Sequence, residues 1–344
     1  MKLRNGLETR VDWLEFTIKD NENPFQVIEM IGYEPADFDF TDRGCQGYKK
    51  TARHCVDSVI VMYDGNENMG VHVRISGSAV DSFLNNYFEK RILYNADRQS
   101  VRKDCWTTAF NDLCDIVSAH GQFTRLDLAI DDFTKDFFTC DELWSLCDNG
   151  QCVSKFRTRN RNDKKKISEN EKIGDTIYFG SRQSDVFLRV YDKFLEQTEK
   201  ENDPECDSWM RWELEIKGLK ADYVANQLAE RNVDEGTIVV GILSNYIRFI
   251  KIDDSNRSRC TVLDKWQKFI DGIEKLRIVI GKILHTVDRK LDWIKRQCLP
   301  TIAGLVKYNG GDMSFMYNNL EESYERNKPK LRKLYEGDVS YVLS

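Results

Sequence analysis

The 344-residue sequence has little of what marks several common protein classes. It contains only 5 prolines and 20 glycines, and 41% of its residues are hydrophobic, which excludes a collagen-like, low-complexity or disordered chain. A chain of this length can bury a sizeable core in one large domain, or in a large domain and a small one.

Zinc-binding and disulfide patterns are also missing, although the sequence has 10 cysteines. No two cysteines form a CxxC pair, and the 4 histidines do not complete a familiar zinc pattern with them. The N-terminus lacks the apolar segment of a signal peptide, and no apolar run approaches a membrane span. We therefore expect a soluble, cytoplasmic protein without membrane association, whose thiols are reduced and mostly buried.

An excess of positive charge is absent as well. The 51 Lys and Arg residues are outnumbered by 57 Asp and Glu residues, and the net charge of −6 is not that of a globally basic nucleic-acid-binding protein. The exception is the segment 155–166, KFRTRNRNDKKK, which has seven basic residues and one acidic residue. We interpret this segment either as a solvated loop or as a contact to a phosphate backbone.

Strand-like and helix-like patterns alternate over the first 217 residues. Apolar residues at every second position predict strands at 12–18, 57–65, 70–77, 123–132, 175–181, 186–193 and 209–217. Residues 78–120 are predicted to be largely helical, and Thr139 with Glu142 predicts a capping box at the start of a short helix. Beyond Gly218 the apolar spacing is helical. We therefore predict an α+β fold, a mainly antiparallel sheet with helices on one face, followed by a helical C-terminal part.

Three of the predicted strands carry ionisable residues on one face and apolar residues on the other. The polar faces comprise Arg125, Asp127 and Asp131; Arg189, Tyr191 and Lys193; and Arg211, Glu213 and Glu215. A sheet with one solvated face shows the same alternation, so each strand alone is ordinary. Together, however, the three strands offer carboxylates, cations and one tyrosine on a single surface.

This combination of side chains suits phosphoryl transfer. Two carboxylates from different strands can hold Mg²⁺ or Mn²⁺, which leave coordination positions open for phosphate oxygen and water. Arginine and lysine can neutralise the charge that develops on phosphorus. A tyrosine hydroxyl, with its ordinary pKa of about 10, needs such a cation to act as a nucleophile, and Arg189 and Lys193 flank Tyr191 at i−2 and i+2. A packing or surface role for the tyrosine is the alternative.

The order of these segments resembles that of the trans-acting plasmid rolling-circle replication initiators and, more closely, the DNA-nicking relaxases of integrative conjugative elements. The matching segments are DWLEFTI, GVHVRISGSAVDSF, RLDLAIDD, TIYFGSRQSDVFLRVYDKFLEQ, RWELEIKGLKA, NRSRCTVLDKWQKFIDG and LDWIKRQCLPTIAGL. The resemblance covers most of residues 10–305. Each motif is weak alone, but their shared order is specific.

The resemblance implies cleavage of one DNA strand at an origin, with Tyr191 in the position of the nucleophile and Arg189 and Lys193 as its basic neighbours. The products would be a 5′-phosphotyrosine and a free 3′-OH, for rolling-circle replication or conjugative transfer. The metal site, for Mg²⁺ or Mn²⁺, maps to Asp127 and Glu213, with Asp131 and Glu215 as further candidates. The sequence lacks the His-hydrophobe-His pair of other nicking enzymes, and we interpret His72 as structural.

The resemblance also implies partners and domain roles. Residues 1–253 would form the nicking domain, and residues 254–344 a helical region that binds DNA or packs on that domain. The partners would be origin DNA, single-stranded or extruded as a hairpin, and a host helicase, and a homodimer is conceivable. The expected DNA-binding residues are Arg125, Arg211, Ser181, Arg182, Lys155, Arg157, Arg159 and Arg161.

Two other classes of function stay open at this point. One is a non-catalytic nucleic-acid-binding protein, in which Tyr178 and Phe179 would belong to an aromatic stacking surface. The other is a metal-dependent endonuclease that uses water as the nucleophile, with Tyr191 incidental. A tyrosine recombinase fits poorly, because its catalytic residues would lie on helices.

Overall fold

Twelve strands and ten α-helices form the described part of the chain, which in this computed structural model comprises residues 6–55, 57–77, 79–87, 105–134, 136–200, 206–229, 235–271, 295 and 299–335. The strands are β1 (Leu7–Ile18), β2 (Phe38–Thr41), β3 (Lys50–His54), β4 (Val59–Tyr63), β5 (Val71–Ser76), β6 (Gly121–Asp132), β7 (Cys152–Ser154), β8 (Arg159–Lys165), β9 (Lys172–Phe179), β10 (Val186–Asp192), β11 (Met210–Lys217) and β12 (Ile247–Phe249). The helices are α1 (Pro24–Met30), α2 (Ala79–Tyr87), α3 (Cys105–His120), α4 (Cys140–Asp148), α5 (Lys193–Glu199), α6 (Leu219–Ala229), α7 (Glu235–Tyr246), α8 (Asp264–Ile270), α9 (Leu299–Tyr308) and α10 (Ser314–Tyr335).

Ten strands form one antiparallel sheet in the order β2-β3-β4-β5-β1-β6-β11-β10-β9-β8. The predicted α+β class is therefore confirmed, and so is the hairpin of β4 and β5. Strands β7 and β12 form a separate two-stranded sheet. The three strands that carry the predicted polar residues, β6, β11 and β10, lie next to one another near the centre of the large sheet, with β1 beside β6.

Local sequence signals fix the transitions between these elements. Thr139 and Glu142 form the predicted capping box at the start of α4. Helix α3 ends at His120 and β6 begins at Gly121 with no intervening loop. A side chain at position 121 would collide with the backbone oxygen of Thr17, only 1.7 Å from an ideal Cβ, so glycine allows β6 to pair with β1 there.

The apolar faces of the strands form the core together with most of the helices. Leu14 of β1, Leu128 of β6 and Leu214 of β11 are buried on this face. Helices α3, α6 and α7 contact β6 there, and their apolar residues join the same cluster. Helix α5 is different, because its first residue, Lys193, borders the polar face that carries Tyr191. The helices thus cover mainly, but not only, one face.

Several elements differ from the predictions. The basic segment 155–166 is not a loop throughout, because Arg159–Lys165 forms β8, the edge strand that pairs with β9. The strand predicted at 186–193 ends at Asp192, whose side chain accepts a hydrogen bond from the Leu195 backbone and starts α5. Alternation alone did not predict β2, β3, β7, β8 or β12, which are short or polar edge elements.

The chain divides into two compact units, Met1–Ile278 and Val279–Ser344. Helix α8 belongs to the first, since Trp266 is 1% exposed and its ring lies 5.7 Å from that of Trp212. The packing unit thus extends beyond residue 253, and the predicted division of roles there stays a prediction. In the second unit, α9 has no buried residue among those described.

The described helices and cysteines bear on the expected membrane and thiol properties. None of the helices described is both long enough and apolar enough to cross a membrane. Eight cysteines in the described ranges are free thiols. Four of them are buried and Cys55 is exposed, so the expectation of mostly buried thiols holds for half of this set.

We predict that Trp266→Ala lowers the free energy of unfolding by about 3–5 kcal/mol, because it empties a site lined by the Trp212, Phe249 and Phe269 rings. Urea denaturation followed by circular dichroism measures the change. Ile252→Ala, at a position 59% exposed, is the control and should change stability by less than about 0.5 kcal/mol. Equal effects of the two substitutions would show that α8 does not belong to this core.

Candidate active site on the polar face of the sheet

The strand register brings the predicted polar residues together in rows. On β10 and β11, Tyr191 lies opposite Arg211, and Arg189 lies opposite Glu213. On β11 and β6, Glu215 lies opposite Asp127, and Arg211 lies opposite Asp131. Residues directly opposite each other share a face of the sheet, so these side chains occupy one surface, opposite the apolar core.

Tyr191 is held by a carboxylate and two cations. Its hydroxyl donates to Glu213 Oε2 at 3.1 Å, and Arg189 Nη2 donates to both oxygens of the same carboxylate, at 2.6 and 2.7 Å. Arg189 Cζ lies 4.7 Å and Lys193 Nζ 5.4 Å from the tyrosine ring centroid. Burial, together with the charge of Glu213, raises the pKa of Tyr191 well above its ordinary value, against the opposing charges of Arg211 and Arg189. The phenol is therefore protonated here and hydrogen-bonded to a potential base.

Tyr191 opens onto a polar cavity of about 440 Å³. The lining side chains of both charge signs include Arg125, Arg182, Arg189, Lys193, Glu196, Lys200, Glu213 and Glu215. Lys193 Nζ is also 2.5 Å from Glu196 Oε2 within α5, which fixes the lysine beside the tyrosine. The cavity thus gathers the three predicted catalytic residues and two of the four predicted metal ligands.

Asp127 of β6 and Glu215 of β11 are carboxylates that lie directly opposite each other in register. Arg125 Nη2 donates to both of them, at 2.6 Å to Asp127 Oδ2 and 3.0 Å to Glu215 Oε2. Burial raises the pKa of Asp127 to about 7, although Arg125 opposes that shift. Lys217 Nζ lies 2.5 Å from the other oxygen of Glu215. Two carboxylates from different strands therefore bind the same arginine side chain, that of Arg125.

Asp131, the remaining predicted metal ligand, has a different environment. It is fully buried, and Arg211 donates to its two oxygens at 2.6 and 2.8 Å. Trp209 Nε1 donates to it at 2.6 Å, and, like Asp127, it does not line the cavity. Across the ranges that the structure describes, no three His, Cys, Asp or Glu side chains converge as a ready-made metal site. The arrangement accordingly offers a two-carboxylate site rather than a closed cage.

The structure separates the predicted DNA-binding residues into two groups. Arg125 and Arg182 line the cavity, and Arg211 lies beneath it, whereas Ser181 is exposed in the turn before β10. Arg159 and Arg161 lie on the other face of the sheet, because they pair in register with the core residues Phe179 and Ile177.

These two arginines already have carboxylate partners on that face. Arg159 pairs with Asp148 of α4, and Arg161 pairs with Asp141 of α4 and with buried Asp175. Lys155 donates to Asn245 Oδ1 at 2.6 Å, and Arg157 is exposed in the loop between β7 and β8. The structure therefore does not bring these four residues together with Tyr191, and their role in DNA binding stays a prediction.

Several residues of the site had not been singled out from the sequence. Trp13 of β1 lies under Arg125, whose Cζ is 4.2 Å from the indole centroid. A β-bulge between Val11 and Trp13 lets Asp12 reach the polar face, where it accepts from Arg211 Nη1 at 2.6 Å. Alternation in DWLEFTI implies the orientation of Trp13, but nothing in the sequence marks the bulge.

A buried polar cluster supports Trp13 from the side of β5. Trp13 Nε1 and Arg74 Nε donate to Glu15 Oε1 at 2.8 and 3.0 Å, and His72 Nε2 lies 3.1 Å from Glu15 Oε2. The other ring nitrogen of His72 lies 2.9 Å from the Thr17 hydroxyl. His72 is thus committed to contacts within the protein, in agreement with a structural role. Burial raises the pKa of Glu15, but its hydrogen bonds and neighbouring cations lower it to about 2.

The aromatic platform considered for a non-catalytic binding protein is not formed by the two residues named for it. Phe179 is 2% exposed in the core, whereas Tyr178 lies on the polar face opposite Arg189. Neighbouring residues of a strand point to opposite faces, so the two rings cannot share one surface. Tyr178 instead stacks on Phe187, with ring centroids 5.8 Å apart.

Comparisons with protein families, with individual proteins and with solved structures each give matches. The sequence profile of the replication initiation factor family matches residues 121–320. The chain is 29% identical over 304 residues to the proposed DNA relaxase NicK of Bacillus subtilis (strain 168). The aligned residues make up 87% of this chain and 81% of that protein. The solved rolling circle replication initiator protein from Geobacillus stearothermophilus superposes with a TM-score of 0.65 and 30% identity, over 79% of this chain and 98% of that one. The profile match includes β6, β9, β10 and β11.

The depressed pKa of Glu15 predicts a pH-dependent stability. Because its folded-state pKa of about 2 lies below its ordinary value of 4.5, the stabilisation is complete above pH 4.5 and is lost as the pH falls toward 2. Glu15→Gln should therefore cost about 3 kcal/mol at pH 7, and this difference from wild type should shrink in acid. Denaturant titrations at several pH values measure it. Asp39→Asn, at an exposed position of β2, is the control and should show no such trend; a constant cost for Glu15→Gln would contradict the assignment.

Proposed function

This chain belongs to the replication initiation factor family, and on that premise we propose that it nicks one DNA strand at an origin by attack of Tyr191 on a phosphodiester. The observation that carries the proposal is the Tyr191 hydroxyl, 3.1 Å from Glu213 Oε2 and flanked by Arg189 and Lys193 in a polar cavity. The substrate would be origin DNA in a single-stranded or extruded form, and the reaction would start rolling-circle replication or strand transfer.

The chemical step is a transesterification. The Tyr191 oxygen forms a bond to phosphorus, and the bond from phosphorus to the 3′ oxygen of the preceding nucleotide breaks. The phenolic proton passes to Glu213, which already accepts the hydrogen bond from that hydroxyl. The departing 3′ oxygen takes up a proton from solvent, so the products are a 5′-phosphotyrosine and a free 3′-OH, and the reverse reaction closes the nick.

Cations on the same face can stabilise the charge that develops during this step. Arg189 and Lys193 both lie within 6 Å of the tyrosine ring, and Arg125 and Arg182 line the same cavity. Positioned cations in a site with little water stabilise a developing phosphorane charge far better than they would in bulk solvent. Arg189 and Arg211 also oppose the burial that raises the pKa of the phenol.

The carboxylates on this face fit a divalent cation of the kind that binds phosphate. Magnesium is commonly held by one or two carboxylates together with substrate phosphate oxygens. Asp127 and Glu215 meet that requirement, since they lie opposite each other and already share the Arg125 cation. We propose that they would hold Mg²⁺ or Mn²⁺, with Glu213 next to them, and that such an ion would supply Lewis-acid stabilisation of the phosphate. Asp131 is assigned to holding Arg211 instead.

We predict that Tyr191→Phe abolishes nicking and the covalent adduct, because it removes the attacking oxygen. Single-stranded origin DNA with Mg²⁺ or Mn²⁺ is the substrate, and a denaturing gel followed by mass spectrometry of the adduct is the measurement. DNA affinity should stay within a few-fold of wild type. Tyr178→Phe, which removes a hydroxyl from the same face, is the control and should nick normally. Normal cleavage by Tyr191→Phe would replace this mechanism with attack by water.

A second prediction concerns the two-carboxylate site. Asp127→Asn and Glu215→Gln should each weaken Mn²⁺ binding by at least about tenfold, since even outer-shell partners of a metal contribute that much. Titration of the folded protein by calorimetry or electron paramagnetic resonance measures it without DNA. Asp131→Asn is the comparison: it should leave Mn²⁺ affinity unchanged but destabilise the fold by about 3–5 kcal/mol, because buried Arg211 loses the carboxylate that accepts two of its hydrogen bonds. A loss of Mn²⁺ affinity in Asp131→Asn would contradict the assignment.

A further inference from the structure

One register row crosses four central strands and carries an aromatic residue at each end. Trp13 of β1 lies opposite Asp127 of β6, and Asp127 lies opposite Glu215 of β11. Glu215 in turn lies opposite Phe187 of β10. The two carboxylates of the proposed metal site are therefore bracketed by two aromatic residues. With neighbouring strands about 4.8 Å apart, the backbones of Trp13 and Phe187 are about 14 Å apart.

Each end of this row is a stack of arginine on aromatic rings. At one end, which we call the Trp13 stack, Arg125 Cζ lies 4.2 Å from the indole centroid. At the other end, the Arg182 stack, Arg182 Cζ lies 5.8 Å from the Tyr178 ring and 5.6 Å from the Phe187 ring. The Tyr178 and Phe187 rings are themselves nearly parallel, with 19° between their planes.

Both stacks border the cavity that contains Tyr191. Trp13, Arg125, Arg182 and Phe187 are all in its lining. Arg182 is exposed, and it forms no ion pair with any residue in the described ranges, whereas Arg189 is paired with a carboxylate. Its charge is therefore available, and its guanidinium covers rings that have little other exposure. Arginine planes and aromatic rings are the surfaces on which unpaired nucleic-acid bases stack.

We propose that the Trp13 stack and the Arg182 stack hold the bases on either side of the scissile phosphodiester, one base at each stack. The inference rests on the proposed function for the position of that phosphodiester beside Tyr191. Neighbouring bases in stacked B-DNA are separated by about 3.4 Å along the strand, far less than the span of about 14 Å between the two stacks. The ligand is therefore single-stranded DNA with its two bases splayed apart, and a duplex cannot satisfy both stacks.

The stacks recognise the flat faces of bases and leave the base edges free. Every base has such a face, so the two stacks select unpaired DNA over paired DNA without choosing a sequence. The choice of origin must then come from contacts elsewhere on the protein. The splayed step would also place its phosphodiester beside Arg125 and Glu215, which line the cavity between the two stacks.

The test compares two fluorescein-labelled probes of equal length and charge by anisotropy, without divalent cation. One is oligo(dT), and the other is a deoxyribose-phosphate chain of abasic tetrahydrofuran nucleotides. Wild type should bind oligo(dT) about 5- to 150-fold more tightly than the abasic chain, the effect of one or more stacked bases. Trp13→Leu and Arg182→Ala should each reduce this ratio at least about threefold, while Trp13→Phe, which keeps an aromatic face, retains most of it.

The ratio of the affinities for the two probes distinguishes the contribution of base stacking from that of charge. Arg182→Ala removes a cation and so weakens the binding of both probes, but only lost stacking changes their ratio. Arg157→Ala removes an exposed arginine outside this cavity and should leave the ratio unchanged. A wild-type ratio near one, or a ratio that Trp13→Leu does not alter, overturns the proposal. The binding measurement does not depend on DNA cleavage, so it can fail independently of the nicking assay. If the protein forms the covalent adduct but binds both probes equally, the base-stacking proposal is wrong and the proposed nicking function stands.

Discussion

Charged side chains buried on one face of the sheet impose the main constraint on this structure. Asp131 is fully buried, and Arg211 and Glu213 are at most 5% exposed. Removing a charge from water costs several kcal/mol unless a partner of opposite charge accompanies it. Each group has one: Arg211 pairs with Asp131, and Arg189 pairs with Glu213. A slip of one residue in register would break these pairs and turn the charges into the core, so the polar face and the strand register require each other.

Under the proposed mechanism, the same pairing would keep the tyrosine unreactive in the free protein. Glu213 both accepts the Tyr191 hydrogen bond and neutralises Arg189, while burial raises the pKa of the phenol. A DNA phosphate that entered the cavity would compete with Glu213 for Arg189, because both are anions that bind a guanidinium. Release of Glu213 from Arg189 would make it a stronger base for the phenolic proton. Binding of substrate and activation of the nucleophile would then be coupled through one arginine.

The sequence predicted the sheet better where strands have one apolar and one charged side. β6, β10 and β11 alternate regularly, so their faces and the grouping of Tyr191 with Glu213 followed from the spacing of residues. β8 was missed because its residues are polar on both sides, and it is held by pairing with β9 and by ion pairs to α4. The bulge that exposes Asp12 depends on pairing between distant strands, which spacing within one segment does not encode.

The shortage of positive charge in the sequence has a structural counterpart. Most cations of the basic segment are neutralised locally: Arg159 and Arg161 by α4 and β9, and Lys164 by Glu199. Much of the positive charge of this segment is therefore balanced by carboxylates of the same protein, and its role in DNA binding stays a prediction. What distinguishes the cavity is that Arg182 lacks such a partner within the described residues, and that Arg189 and Arg125 share theirs with groups that DNA and a divalent cation would engage. Net charge thus says little about this surface, whereas the pairing of each cation decides which of them a phosphate can bind.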